Sequence, residues 1–378
     1  MLGHGTKRKM ERYDYLIVGA GFSGIVIAER LASIGKKVLL IDKRSHFGGN
    51  CYDFINRAGI LVHKYGPHYF RTDYEEVLSY LSKFTEWTSH RYKVKVNFNE
   101  KIYSFPINKK TFEEFFNLKF STKEELSAFL ESKRNKDIIT PKNAEETILS
   151  KLGPELYSAF FEGYTQKQWG VHPKLLDVSV TERIPIRLDD NDDYLNNNFQ
   201  AMPSKGYTQM FKKMLSNKNI KIMLNKPFSK KDINRAKKVI WTGRIDEFFN
   251  FKFGKLPYRG LNFAFFNFYN QEFFQECGQI NYTSASIPYT RILEIKHITH
   301  QKSPHTTISL EFPTDGGEPC YPIPTLENKK LYEKYLDETK KYETVHFLGR
   351  LGKYQYLNMD QCVKEALMLF EKIKNEIN

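Results

Sequence analysis

Residues 13–42 read YDYLIVGAGFSGIVIAERLASIGKKVLLID, and this stretch decides the fold. An apolar run ends at Val18 and meets Gly19-Ala20-Gly21-Phe22-Ser23-Gly24. A helical pattern continues to Ile34, and after Gly35 a second apolar run, 38–41, closes on Asp42. Glycines spaced G-x-G-x-x-G between a strand and a helix, with an acidic residue ending the next strand, are the context of a dinucleotide-binding βαβ unit. Gly19 permits the tight turn, Gly21 lets the backbone approach a pyrophosphate, and Gly24 lets helix and strand pack closely. The pyrophosphate would sit at the helix N-terminus, by Phe22 and Ser23, where unpaired N–H groups and the helix dipole favour an anion. Asp42 is placed to accept a hydrogen bond from the adenosine ribose. The stretch points to NAD or FAD; the bland alternative is a βαβ unit with incidental glycines.

Lys43-Arg44-Ser45-His46-Phe47-Gly48-Gly49-Asn50 follows directly. A basic residue and then a Gly-Gly pair after the second strand resembles FAD-dependent oxidoreductases of the glutathione-reductase type. The paired glycines allow backbone close to a cofactor, and Arg44 can contact its phosphate or ribose. This favours FAD over NAD, with Lys43, Arg44, Gly49 and Asn50 beside it.

At 378 residues the chain has room for two or three domains. Its net charge is +14, of which Lys7, Arg8 and Lys9 lie in a leader, residues 1–10, that reads as an appended, non-native segment; +11 remains without them. Such a balance suits an anionic ligand, a nucleic acid or an anionic membrane face, although dispersed lysines also make an ordinary solvated surface. Cys51, Cys277, Cys320 and Cys362 show neither metal spacing nor a disulfide framework, so we expect no metal and a reducing cytoplasm. The leader has no apolar core of a signal peptide, and no apolar stretch is long enough to span a bilayer.

From Thr72 the texture turns helical. Thr72 with Glu75, Thr111 with Glu114, Thr122 with Glu125 and Asn143 with Glu146 fit capping boxes or near relatives. Residues 92–96 and 102–105 alternate like a hairpin. Beyond Pro203 the chain returns to the nucleotide domain: Lys238-Val239-Ile240-Trp241-Thr242-Gly243 reads as a strand ending in a glycine. Segments 262–269, 291–296 and 307–312 alternate as strands of an antiparallel sheet that would roof the cofactor, with Ile308, Leu310 and Phe312 on one face. A strand-turn at 345–350 and an amphipathic helix at 359–373 close the domain.

Three clusters carry candidate chemistry. The first is Phe160-Phe161-Glu162-Gly163-Tyr164-Thr165-Gln166-Lys167-Gln168-Trp169-Gly170. The second is Arg183-Ile184-Pro185-Ile186-Arg187, with Tyr194 downstream. The third is distributed over Tyr289-Thr290-Arg291, Pro319-Cys320-Tyr321-Pro322, and Gly349-Arg350-Leu351 through Tyr354, Tyr356 and Met359. Arginines converging with tyrosine hydroxyls make a diphosphate clamp, because guanidinium offers bidentate donors and phenols add neutral ones. Tyr164 and Trp169 offer faces for a base.

These blocks, in this order, resemble the UDP-galactopyranose mutase family over nearly the whole chain. The resemblance implies an α/β fold: a discontinuous Rossmann-type FAD-binding domain (11–72, 203–245 and 343–378), a mainly helical insertion (73–175) and an antiparallel-sheet substrate domain (176–202 and 246–342). It also implies FAD, active when reduced, and a redox-neutral interconversion of pyranose and furanose forms of a UDP-sugar. In the family, N5 of the reduced flavin attacks the anomeric carbon and displaces UDP, and the ring opens through an iminium and recloses. Carried over, Arg183, on a mobile loop, and Arg291 would neutralise the diphosphate. Tyr194, Tyr321 and Tyr356 would donate to the phosphates, while Phe160, Tyr164 and Trp169 would line the uridine and sugar pocket. Gly349, Arg350, Tyr356, Met359 and His68 would face the flavin. An external reductant such as NAD(P)H, a homodimer, and furanose donors for surface glycans also follow from the likeness.

Where galactose-using members of the family read Gly-Ala-His-x-Phe-His-Thr, this chain reads Gly66-Pro67-His68-Tyr69-Phe70-Arg71-Thr72, with Arg71 in place of a histidine. A longer, permanently charged donor there could reach an amide carbonyl, so we expect UDP-N-acetylgalactosamine to be accepted as well as UDP-galactose. Cys320 replaces a tyrosine, for which a packing change is expected, and Asn358 stands where an aspartate is common. Surface ion pairs to Asp189, Asp190, Asp192 and Asp193 are the bland reading of Arg183 and Arg187. Two other functions stay open: a flavin oxidoreductase of the same Rossmann class, or a non-catalytic basic binding protein. No nucleic-acid recognition module is visible.

Overall fold

The computed structural model describes residues 12–377; the leader read at 1–10 lies outside them. The chain divides into two compact units. One comprises residues up to 49, 209–253 and those from 334 on; the other comprises 50–208 and 254–333.

The first unit is built on a five-stranded parallel sheet in the order Ile220–Met223, Val38–Ile41, Tyr13–Val18, Ala236–Trp241, Val345–Phe347. Val38–Ile41 reads as an unbroken apolar run because both faces are covered, and all four of its residues are buried; Ala236–Trp241 is apolar and buried only over its last three residues. Val18 pairs with both Ile41 and Trp241, so these three strands end level and present Gly19, Asp42 and Thr242 along one edge. That carboxyl edge is where open α/β sheets bind ligands. Helix Phe22–Ser33 packs on the last helix, Met359–Ile377, which buries Val363, Ala366, Phe370 and Ile373 at helical spacing.

The second unit holds a seven-stranded sheet in the order Pro319–Pro322, Tyr258–Phe268, Thr306–Thr314, Arg291–Leu293, Gln279–Tyr282, Val94–Phe98, Lys101–Phe105. The expected antiparallel segments are present with their ends moved: the strand expected at 262–269 already starts at Tyr258, the one at 307–312 extends to Thr314, and the one begun at Arg291 stops at Leu293. Glu294 there turns inward to accept the N–H groups of Phe274 and Gln275, and Lys296 starts a helical turn. The hairpin expected among the helices is the edge of this sheet, because Val94–Phe98 pairs in parallel with Gln279–Tyr282. A smaller sheet places Phe70–Thr72 and Trp87–Ser89 on either side of Phe199–Pro203.

Two of the four expected helix caps hold: Thr122 accepts from Glu125 N, and Asn143 from Glu146 N. The other two are corrected. Helix Glu75–Leu81 is preceded by Tyr74, and Thr72 instead accepts Tyr74 N. Helix Lys109–Phe116 is capped by Asn108, which makes a reciprocal box with Thr111 inside the first turn. An amide oxygen with its own donor outcompetes a hydroxyl already engaged on Ser104 O.

Candidate active site

In the first unit the glycines do what their spacing demands. A Cβ on Gly24 would lie 2.0 Å from Gly19 O, and one on Gly19, at φ +104, 2.1 Å from Thr242 Oγ1. Gly21 caps helix Phe22–Ser33 without a side-chain hydrogen bond, and no acidic residue occupies the first turn. The end of this helix is thus left for an anion. Opposite, Gly49 sits at φ +56, where a Cβ would come within 2.8 Å of Gly21 Cα. The two backbones are in direct contact, which a side chain at Gly49 would not allow, and this keeps the end of the helix clear for the pyrophosphate of FAD. Gly349, at φ +78, likewise abuts Ser23, whose hydroxyl reaches Cys362 O at 3.3 Å.

Asp42 is buried and already works for its own loops, Oδ2 accepting Ala20 N at 2.7 Å and Oδ1 accepting Arg44 N at 2.8 Å. A ribose would share lone pairs with these bonds. Lys43 is exposed and Arg44 half-buried. The Phe22 ring is buried, edge-on to Phe211 at 5.0 Å, and its backbone opens the helix at the expected anion site. Arg350 folds back on its own turn, Nη2 donating to Leu357 O at 2.6 Å, with the guanidinium 5.3 Å from the Tyr356 ring centre. Tyr356, expected also on the substrate, belongs to this unit, as does Met359, the first residue of the last helix.

The second unit centres on Arg291. Its Nε donates to Glu311 Oε1 at 2.8 Å and Nη2 lies 2.7 Å from the same oxygen, because the two residues face each other in the antiparallel register. Burial opposes the charge, yet the fully buried carboxylate holds this guanidinium well above its ordinary range. Tyr164 and Tyr321 lie within its field, and Tyr164 also senses Tyr194 and Arg183. Burial pushes the Tyr164 phenol up to about 12 against the pull of Arg291, so it stays a neutral donor. The structure thus brings Arg183, Arg291, Tyr164, Tyr194 and Tyr321 together. Arg183 is exposed at the C-terminal end of the short helix Ser179–Glu182.

The 160–170 block is mostly scaffold for that cluster. Phe160 is corrected as a pocket wall: it is 2% exposed among the rings of Phe98, Tyr103 and Phe115. A Cβ on Gly163 would stand 2.7 Å from Thr283 O. One turn on, Lys167 Nζ donates to the carbonyls of Tyr282, Ser284 and Ile287 at 2.9, 2.9 and 2.8 Å, fastening the loop that leads to Arg291. Arg259 binds Lys167 O and Gln168 O at the end of helix Gly163–Trp169. Trp169 is buried with its ring 6.0 Å from that of Tyr321. Lys167, Arg259 and Glu311 were not singled out from sequence. Glu311 alone left a signal, a charge on the other face from Ile308, Leu310 and Phe312 in an alternating strand.

Arg71 is half-buried on Phe70–Thr72, opposite Gln200. His68 donates its backbone N–H to His63 Nδ1 at 3.0 Å, and its own Nδ1 meets Gly66 O at 2.9 Å. His68 and Asn50 fall in the second unit. The ion-pair reading of Arg187 is corrected: Arg187 Nη2 donates to Asp193 O and Asn196 Oδ1, while Lys93 pairs with Asp192 and Asp193. Cys320 is buried with Sγ 3.7 Å from Glu318 O. No group of three or more metal-ligating side chains occurs among the described residues, and none of their helices is long and apolar enough to cross a membrane.

Residues 159–356 match the family model "UDP-galactopyranose mutase", and residues 17–84 match a NAD(P)-binding Rossmann-like domain. A probable UDP-galactopyranose mutase of Klebsiella pneumoniae is 38% identical, covering 97% of this chain and 96% of that protein. A dTDP-fucopyranose mutase of Escherichia coli is 36% identical over 93% and 96%. A UDP-galactopyranose mutase of Mycoplasma genitalium is 34% identical over 93% and 92%. In fold, the crystal structure of a reduced UDP-galactopyranose mutase superposes with a TM-score of 0.77 at 17% identity, covering 96% of this chain and 94% of that one.

Proposed function

The chain belongs to the UDP-galactopyranose mutase family, and from that premise we propose that it interconverts UDP-galactopyranose and UDP-galactofuranose with FAD held in its first unit. It is an isomerase of this type. The observation that carries the substrate reading is the convergence of Arg183, Arg291, Tyr164, Tyr194 and Tyr321 around one carboxylate-held guanidinium.

Reduced FAD would supply a nucleophile for the anomeric carbon and recover it when the ring recloses, so no electrons are consumed. The chain's side chains then have four tasks. Arg291, fixed in plane by Glu311, would take a phosphate oxygen through its outer nitrogen. Arg183 would add the second positive charge, and two cations matched to a leaving diphosphate lower the barrier to departure while keeping UDP near for return. Tyr164, held protonated, and Tyr194 and Tyr321 would donate to the same anion without adding charge. Trp169, against Tyr321, would shape the wall on the nucleotide side.

Arg71 extends the proposal to UDP-N-acetylgalactosamine, its guanidinium reaching the acetamido carbonyl. Reduction by NAD(P)H, assembly as a homodimer and cytoplasmic supply of furanose donors for surface glycans complete it, on the strength of the family alone. The test is chromatography of UDP-galactose, UDP-N-acetylgalactosamine and dTDP-fucose after incubation with the yellow protein, with and without dithionite. Furanose from UDP-galactose only with reduced flavin is expected. Furanose from dTDP-fucose alone would move the substrate to a dTDP-sugar, as the Escherichia coli relative's name suggests. An oxidised product would return the chain to the oxidoreductases.

A further inference from the structure

Glu311 does not meet Arg291 fork to fork. Nε, at 2.8 Å, and Nη2, at 2.7 Å, converge on Oε1, and Thr290 Oγ1 adds a contact to that same oxygen at 3.3 Å. Oε2 has no hydrogen-bond partner and is buried. A Cβ on Gly66, which sits at φ +89, would stand 3.2 Å from Oε2 and 3.2 Å from the Phe263 ring, so loop and ring seal this oxygen. On the other side of the pair, Arg291 Nη1 has no partner among the described residues.

A lopsided pair of this kind has two consequences. The guanidinium plane is fixed, with one nitrogen left for a ligand. The carboxylate is only half used, and water, which would screen its charge, is kept out. An anion bound at Nη1 therefore feels Arg291 and, close behind it, an unscreened negative charge.

We propose that Glu311 is the positioning residue of the diphosphate site and at the same time moderates it, aligning Arg291 while weakening its hold on UDP. The inference rests on the nucleotide-sugar reading above. Its chemical sense is that UDP must leave the anomeric carbon and come back within one turnover. Binding energy spent equally on every state slows that exchange without lowering its barrier.

The test separates charge from alignment. Glu311→Gln keeps an acceptor for Nε and Nη2 but removes the charge, so UDP should bind at least threefold tighter by calorimetric titration while kcat for UDP-galactose falls at least tenfold. Glu311→Asp keeps the charge but withdraws it from Arg291, and should weaken UDP at least threefold. Glu311→Gln weakening UDP in step with kcat would make Glu311 a strut alone and overturn the proposal, as would unchanged Kd. Should Glu311→Gln not fold, the aspartate variant decides: tighter or unchanged UDP binding overturns it. Failure of the wild-type protein to bind UDP at all would sink the substrate reading, and this inference with it.

Discussion

Gly163→Ala is the sharpest probe of how the scaffold sets the site. The backbone there is ordinary helix, φ −63 and ψ −40, so alanine meets no torsional strain and gains roughly 0.5–1 kcal/mol of helix propensity. Against this, the new methyl would lie 2.7 Å from Thr283 O, where a carbon and a carbonyl oxygen settle at about 3.4 Å. Helix and loop must therefore part by about 0.7 Å. The loop cannot yield alone, since Lys167 holds the Tyr282, Ser284 and Ile287 carbonyls. Overpacking of this size costs about 1–3 kcal/mol, which outweighs the propensity gain and leaves a net loss of about 1 kcal/mol. Melting should fall by about 2–4 °C. Binding should suffer more, because Tyr164 follows Gly163 directly and the loop runs on to Arg291. A shift of this kind weakens a two-sided clamp on the order of tenfold. Differential scanning fluorimetry and UDP titration read the two effects. An alanine variant that melts higher than wild type and binds UDP equally well would refute the reasoning.

Gly49→Ala should leave the purified protein largely colourless, since its Cβ falls 2.8 Å from Gly21 Cα. Gly35→Asn, at a positive-φ turn with nothing within 4 Å, should stay yellow by flavin absorbance. His63 is buried, and desolvation pulls its imidazole down to about 4. A depressed folded value means that the stability is whole above pH 6.5 and is lost as pH falls towards 4, by about 3 kcal/mol. Melting points across that range should drop more steeply for wild type than for His63→Asn. Arg71→His should lose conversion of UDP-N-acetylgalactosamine by at least tenfold and keep that of UDP-galactose; equal loss of both would remove the specificity role.

Where a residue's demand is local, the sequence carried it. The glycine fingerprint is an example: Gly24 must lack a Cβ because Gly19 O, five residues away, fills the space, and that requirement is written in the spacing itself. The strand Val38–Ile41 was legible as an unbroken apolar run, whereas the edge strand Ile220–Met223, with none of its residues buried, left no such signal. Helix caps were legible where the predicted residue directly precedes the first turn, as Thr122 and Asn143 do, whereas Thr111 already lies inside the first turn and Asn108, three residues earlier, takes the end of the helix.

Pairing between distant segments set the limit for the site. Arg291 and the phenols could be picked out by type, but Glu311 becomes their organiser only because two strands place it opposite Arg291. Gly163, Lys167 and Gly170 stand in a block whose aromatic residues drew the functional reading. Their work is to hold helix Gly163–Trp169 against the 282–287 loop and against Arg259. A motif in this chain therefore mixes two kinds of residue that sequence alone presents as one. Tyr164 and Trp169 face the cluster around Arg291 and Tyr321, and the residues between them fix the distance at which they do so. It follows that substitutions of the scaffold residues should change UDP affinity without touching UDP, and that the size of the change should track the displacement of the 282–287 loop rather than the charge removed.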